Sequence, residues 1–248
     1  MQNSRINQRI FWGILLILLS VFCYAVHFFV FRDAHHIFIY LVGDIAFVFI
    51  EVLLVTLIIH QLLSEREKRA IMQKLNMVIG AFFTRLGTVL LKSFSAFDET
   101  NGNIAKHLVV EQEWSQEHFN KIRKVMEKHD YDINPASGDL TGLKKLLLED
   151  SDFVLRLLEN PNLLEHERFT ELLWAVSPLT EELAHRTNLQ NLASTDSKHL
   201  AGDIKRAYRL LMREWLSYME HLKREYPYLF SLALRTNPFD PMASVELK

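Results

Sequence analysis

Two apolar runs near the start of the chain, separated by five residues, constrain the fold more than anything else in it. The first, Ile10 to Phe31, reads IFWGILLILLSVFCYAVHFFVF and contains no formally charged side chain. A helix needs about 20 such residues to cross a hydrocarbon core of about 30 Å, and this run has that length. The second, Ile37 to Leu63, reads IFIYLVGDIAFVFIEVLLVTLIIHQLL and is long enough to span with some tilt, although it holds Asp44 and Glu51. Only RDAHH, Arg32 to His36, joins them. Unpaired backbone is excluded from lipid, so a link this short makes two spans an antiparallel hairpin.

Basic residues near the spans set the orientation, because they stay on the cytoplasmic side. Arg5 and Arg9 precede the first run, and Arg66, Lys68, Arg69 and Lys74 follow the second, whereas the link offers only Arg32. Both termini are therefore expected in the cytoplasm, with Trp12 and Tyr40 as interfacial anchors. A cleaved signal peptide fits the first run poorly. The run is long for such a core, lacks an evident small-residue cleavage site and is followed at once by the second span.

Asp44 and Glu51 are seven residues apart, which places them on nearly one helix face about 10 Å apart along the axis. A carboxylate at that depth costs about 2.5 to 3.5 kcal/mol on insertion scales, so it should meet a protein partner or water. Counting depth from the link puts Tyr24 and His27 near the level of Asp44, where a hydrogen bond within the hairpin would shelter it. Two roles fit the stripe formed by Asp44, Glu51, His27 and Tyr24. Several hairpins could assemble with it inward as rings of carboxylates that attract cations or relay protons, or it could be polar glue between helices. His60 and Gln61 lie at the inner interface, where polar heads reach water.

The rest of the chain reads as helices. With 8 glycines, 6 prolines and no regular strand alternation, an all-α chain is the economical reading. Ser64 to Phe94 should continue the second helix. Ile71, Leu75, Val78, Ile79, Phe82, Phe83, Leu86, Leu90 and Leu91 recur there at helical spacing, marking a face buried against other helices or laid on the membrane surface. A turn is expected at Phe97 to Asn103, then helices over about 104–129, 139–159, 165–187, 198–225 and 228–235. Asp139 can cap the second of these; Pro161 and Pro178 mark an ending and a kink or restart; Pro227 suits a first turn. Pro238 and Pro241 leave an extended, aromatic-bearing tail strapped over the core. The expected organisation is a hairpin over 1–63, a juxtamembrane helix over 64–97 and a cytoplasmic helical bundle with its tail over 98–248.

Composition removes several functions. The formal net charge of -2, from 28 basic and 30 acidic residues, makes no field that would gather nucleic acid. The one cysteine, Cys23, excludes an intrachain disulfide and a thiolate metal cage. Asp130 to Thr141, DYDINPASGDLT, opens with the spacing of a calcium loop, but Pro135 stands where glycine is needed and Thr141 where a bidentate glutamate belongs. Glu182 and His185 make one Glu-x-x-His pair without the second pair a di-iron bundle requires. His35 and His36 are neighbours without a further ligand cluster. No nucleophile elbow, phosphate loop, zinc-protease motif or dinucleotide fingerprint is present, so neither catalysis nor a cofactor is expected.

The phrases FRDAHHIFIYLVGD at Phe31 to Asp44, KLNMVIGAFF at Lys74 to Phe83 and YPYLFSLALRTNPFD at Tyr226 to Asp240 resemble an uncharacterised family of prokaryotic proteins with two membrane spans. The resemblance covers nearly the whole chain. It implies a prokaryotic cell membrane as the location and brings no activity or site residues. The leading expectation is a homo-oligomer of hairpins with a cation or proton path. A membrane-tethered regulatory or scaffold module, whose cytoplasmic helices bind a protein partner, is the alternative.

Overall fold

The computed structural model describes residues 2–32 and 34–246, except the side chains at 2–10, 34, 36, 69, 70, 164 and 165. The side chains of Arg5, Arg9, Arg69 and His36, and Asp33 in the link, therefore lie outside the described residues. The chain divides into two compact units, Met1–Lys68 and Arg69–Lys248. The described residues are helical with no strand; an isolated antiparallel bridge joins Asp98 and Ile133.

In the first unit α1 covers Gln2–Phe31, and α2, Ala34–Phe82, begins there and runs on past Lys68. Arg32, between them, adopts a left-handed backbone with φ of 50°. None of the described residues from Phe11 to Leu63 is buried, and the apolar side chains point to every side of their helices. Phe11–Phe31 and a stretch within Ile37–Ser95 are long and apolar enough to cross a membrane. A helix apolar all round is a buried core helix or a membrane span, and burial within this chain does not account for these two.

The second unit has its own core. The C-terminal part of α2 turns through a single π-helical turn, Phe83–Gly87, into α3, Thr88–Ser95. Leu75, Ile79, Phe82, Phe83, Leu86, Leu90 and Leu91 are all buried, as the helical spacing requires of a core face. That face packs into protein, which removes the alternative in which it lies on a membrane surface. Gly87 is required by close approach. A Cβ there would sit 2.6 Å from Phe83 Cδ1 and 2.8 Å from Phe82 Cε1.

Around this hub lie α4 (Asn101–Ala105), α5 (Gln116–Lys128), α6 (Leu140–Glu149), α7 (Ser151–Leu158), a 3₁₀ turn (Pro161–Glu165), α8 (Glu167–His185), α9 (Ser194–Glu225) and α10 (Pro227–Arg235). The long α9 is the centre. Leu200, Ile204, Tyr208, Leu211, Trp215 and Leu222 repeat along its buried stripe. Phe82 meets Phe169 of α8 edge-on at 5.2 Å between ring centroids, and Tyr208 meets both Phe94 and Tyr131.

Several sequence expectations hold locally, and others yield to tertiary contacts. Asp139 caps α6 by accepting from Gly142 N at 2.9 Å, and Pro227 opens α10. The helix expected over 104–129 is reduced to α5. Lys223 Nζ donates to the Gln112 and Trp114 carbonyls, Asn237 Nδ2 donates to Leu108 O at 2.8 Å, and Ser115 caps α5 through His118 N. Those partners satisfy backbone groups that a helix would otherwise have paired. The helix over 139–159 breaks at Asp150, whose carboxylate accepts from Arg85 Nε at 2.6 Å. Pro178 neither ends nor restarts α8 but sits inside it. Trp174, four residues earlier, is exposed, so the carbonyl released by proline's missing N–H can be hydrated. The tail closes over the core: Phe239 is buried against Trp215 at 5.0 Å, and Asn237 is buried beside it.

Candidate functional site

The acidic stripe lies in the first unit. Asp44 and Glu51 are both exposed on α2, with no hydrogen bond or ion pair among the described residues. On α1, Tyr24 is exposed, while His27 is partly covered, packs its ring 4.8 Å from that of Phe31 and has Nδ1 buried without a partner. The described residues thus give the two carboxylates no shelter. Cys23, His35, His60 and Gln61 are exposed as well.

In the second unit, the segment with the calcium-loop spacing is an anchored connection. Glu99 N donates to Asp132 O, Asn134 N to Phe97 O, and Asp132 N to Asp98 Oδ1 at 3.1 Å, while Asp130 pairs with Lys205 Nζ at 3.0 Å. The Glu-x-x-His pair is not joined. His185 Nδ1 sits 2.8 Å from Glu181 O, whereas Glu182 reaches α9. There His199 Nδ1 lies 3.5 Å from Glu182 Oε1 and 3.1 Å from Asp203 Oδ2, bringing three potential ligand atoms within 4.8 Å of one another. Cations already sit on both carboxylates: Arg186 bridges Glu182 and Asp196, and Arg206 Nη2 is 3.4 Å from Asp203 Oδ1. Burial and the adjoining Glu182 push Asp203 up. Burial also acts to raise Glu182, but hydrogen bonds from Arg186 and Asp203 hold it below its ordinary value. This arrangement is an interhelical ion-pair network that fastens α8 to α9.

The most site-like geometry is a cavity of about 640 Å³ lined by the π turn, the adjoining ends of α2 and α3, α9, α10 and the start of the tail. Apolar side chains dominate its wall, among them Met77, Phe83, Val89, Met219, Leu229 and Leu232. Met77 is 71% exposed and Val89 50%, so the lining is open to entry. Among the described residues no charged side chain lines it. The threonines on its wall are committed locally: Thr84, Thr88 and Thr236 donate to the carbonyls of Gly80, Phe83 and Leu232.

Asn76, Trp215, Tyr218, His221 and Tyr226 carry the remaining polar side-chain atoms of the wall. Tyr218 stacks on Phe83 at 4.9 Å, and burial pushes its phenol up, so it stays a neutral hydroxyl. His221 Nδ1 faces Asn76 Nδ2 at 3.4 Å, while its Nε2 is shut off from solvent without a partner. Burial first, and Arg224 second, push the imidazole below its ordinary value and favour the neutral ring. When the Asn76 amide donates to Nδ1, the ring proton lies on Nε2. Sequence reasoning missed these residues because Asn76 lies on α2, more than a hundred residues before Tyr218 and His221 on α9, so no local spacing links it to them.

Residues 2–63 match the family described as "MJ1433, N-terminal helical domain", and residues 71–235 match "Uncharacterized protein MJ1433, C-terminal helical domain". "Uncharacterized protein MJ1433" of Methanocaldococcus jannaschii is 48% identical over 228 residues, which is 92% of each chain. No solved structure matches the chain. Both helical parts, matched over nearly their full length, place the chain in the MJ1433 family.

Proposed function

We propose that the protein is a membrane-tethered binding module. In this reading, residues 10–31 and 37–63 cross a prokaryotic cell membrane as a hairpin, both termini are cytoplasmic, and the helical domain engages its partner from that side. The carrying observation is that no described residue from Phe11 to Leu63 is buried, although most are apolar. Side chains such as Ile17, Phe29, Phe49 and Ile58 would otherwise face water along the full length of two helices. Exposed apolar surface on that scale marks a membrane or an interaction surface. The distribution of basic residues supports the orientation. The test is extraction of native membranes with alkaline carbonate, followed by labelling of single cysteines at Gln2 and Met242 from either side. Retention in the membrane with both positions labelled only from the cytoplasmic side is expected; release into the supernatant contradicts the tether.

A second reading rests on Asp44 and Glu51. Two exposed carboxylates on one stripe, without hydrogen-bond partners among the described residues, suit an assembly of several copies that turns the stripe inward toward water and cations. Its test is oligomeric mass in nanodiscs followed by cation flux. A monomer ends this reading, and so does a ring whose flux is unchanged in Asp44→Asn with Glu51→Gln.

A further inference from the structure

The polar inventory of the cavity on α9 and α10 selects the class of molecule that fits it. Its volume of about 640 Å³ falls within the range of about 300 to 1,000 Å³ occupied by small-ligand sites. A polypeptide is a poor occupant, because each of its residues brings an N–H and a C=O that must be paired once water is excluded. The wall offers few partners for them: three threonine hydroxyls already donate to backbone carbonyls and can only accept, and Asn76 is turned to His221. An ionised head group is equally disfavoured. Among the described residues no cation lines the wall, Lys223 is held by the Gln112 and Trp114 carbonyls, and Arg224 is paired with Glu225. A carboxylate entering the cavity would lose water without gaining a counter-charge.

What the wall does offer is a long apolar surface and a few neutral donors: the Tyr218 and Tyr226 hydroxyls, the Trp215 indole N–H and, once its ring turns, His221 Nε2–H. An acceptor is what Nε2–H lacks. We infer that the cavity binds an uncharged, carbonyl-bearing lipid, its hydrocarbon chain lying along Met77, Val89 and Leu229 and its oxygen accepting from Tyr218 or His221. His221 lines the cavity and is only partly buried, but its Nε2 is enclosed, so it donates to a ligand only after its ring turns away from Asn76. The π turn contributes to the shape by placing Phe83, which stacks on Tyr218, in the wall. Gly80 leaves room beside the Tyr218 ring, since a Cβ there would stand 3.6 Å from Tyr218 Cε2 in ordinary contact, and a larger side chain would grow into the site. The inference stands on the cavity and does not require residues 10–63 to sit in a bilayer.

The test is binding of radiolabelled methyl decanoate to the full-length protein in amphipol, counted against amphipol alone and compared with decanoate at neutral pH. Amphipol covers the apolar helices whether or not they insert into a membrane, so failure of the tether leaves this result unaffected. The ester should saturate at one equivalent, with decanoate at least about tenfold weaker because its carboxylate finds no cation. Gly80→Leu should weaken the ester at least about tenfold by filling the site. His221→Phe should weaken it several-fold with the ring volume retained. Should Gly80→Leu lower the melting temperature, Val89→Trp, at an exposed position on the same wall, takes its place. Ester binding no higher than amphipol alone, decanoate binding as tightly as the ester, or full binding in the filled variant overturns the inference.

Discussion

Residues 11–63 and the helix α9 both carry many leucines and several aromatic residues, yet they treat them in opposite ways. Ile17 is 66% exposed and Leu211 is fully buried. In α9 the apolar residues keep to one stripe and charged residues fill the opposite face, a pattern that needs only neighbouring helices to complete it. In α1 and the first part of α2 they occupy every face, and no arrangement of two helices can cover them all. Stability in the second unit therefore comes from side chains packing on each other. The first unit depends on whatever medium surrounds it.

The comparison breaks most easily at a buried aromatic. Phe82→Ala removes a fully buried ring that packs on Phe83 and Phe169 and should destabilise the domain by about 3 to 5 kcal/mol, whereas Ile17→Ala should shift it by less than about 0.5 kcal/mol. Thermal unfolding of both variants, followed by near-ultraviolet circular dichroism, measures the contrast; equal shifts would erase it.

The next effect depends on pH. Glu214 is buried in α9 with Oε1 lacking a hydrogen bond, 3.7 Å from Arg168 Nε. Burial pushes its carboxyl above the ordinary 4.5, although His166 and Arg168 pull the other way. The folded state then holds this proton more tightly than the unfolded chain. Its contribution is greatest below 4.5 and is lost as pH rises through the folded pKa. Glu214→Gln should remove that loss, so the difference in melting temperature between variant and parent should grow in the variant's favour as pH rises across that window. A difference independent of pH would remove Glu214 as the cause.

Smaller again is the cap on α6. Asp139→Ala forfeits the bond from Gly142 N and should cost about 1 kcal/mol, readable as a reduced midpoint in urea. Smallest of all is the effect of Asp44→Asn with Glu51→Gln on the second unit, where the melting temperature should not move. A drop there would mean that the acidic stripe supports the helical domain.

Much of this fold was legible in particular residues. The stripe from Leu75 to Leu91 announced a buried face, Asp139 a cap and Pro227 a helix start, because each acts through neighbours a few positions away. Where distant groups decide, the sequence misled. Lys106 to Ser115 have helical character, but Lys223 and Asn237 capture their carbonyls. Pro178 looked like a break, and its place on an exposed face of α8 makes it tolerable. Glu182 was paired with His185 by spacing, while its partners across the interface are His199 and Asp203. The cavity had no signal in sequence, since its wall is assembled from α2, α3, α9 and α10 only once they pack.

The most direct test of the contrast between the two units is the depth of single spin labels in reconstituted bilayers, with Cys23→Ser as background. Labels at Ile17 and Leu54 are compared with one at Trp174, an exposed position of the helical domain. The account predicts that Ile17 and Leu54 are relaxed strongly by oxygen and weakly by a water-soluble nickel chelate, with the reverse at Trp174. Nickel accessibility at Ile17 and Leu54 equal to that at Trp174 would contradict it.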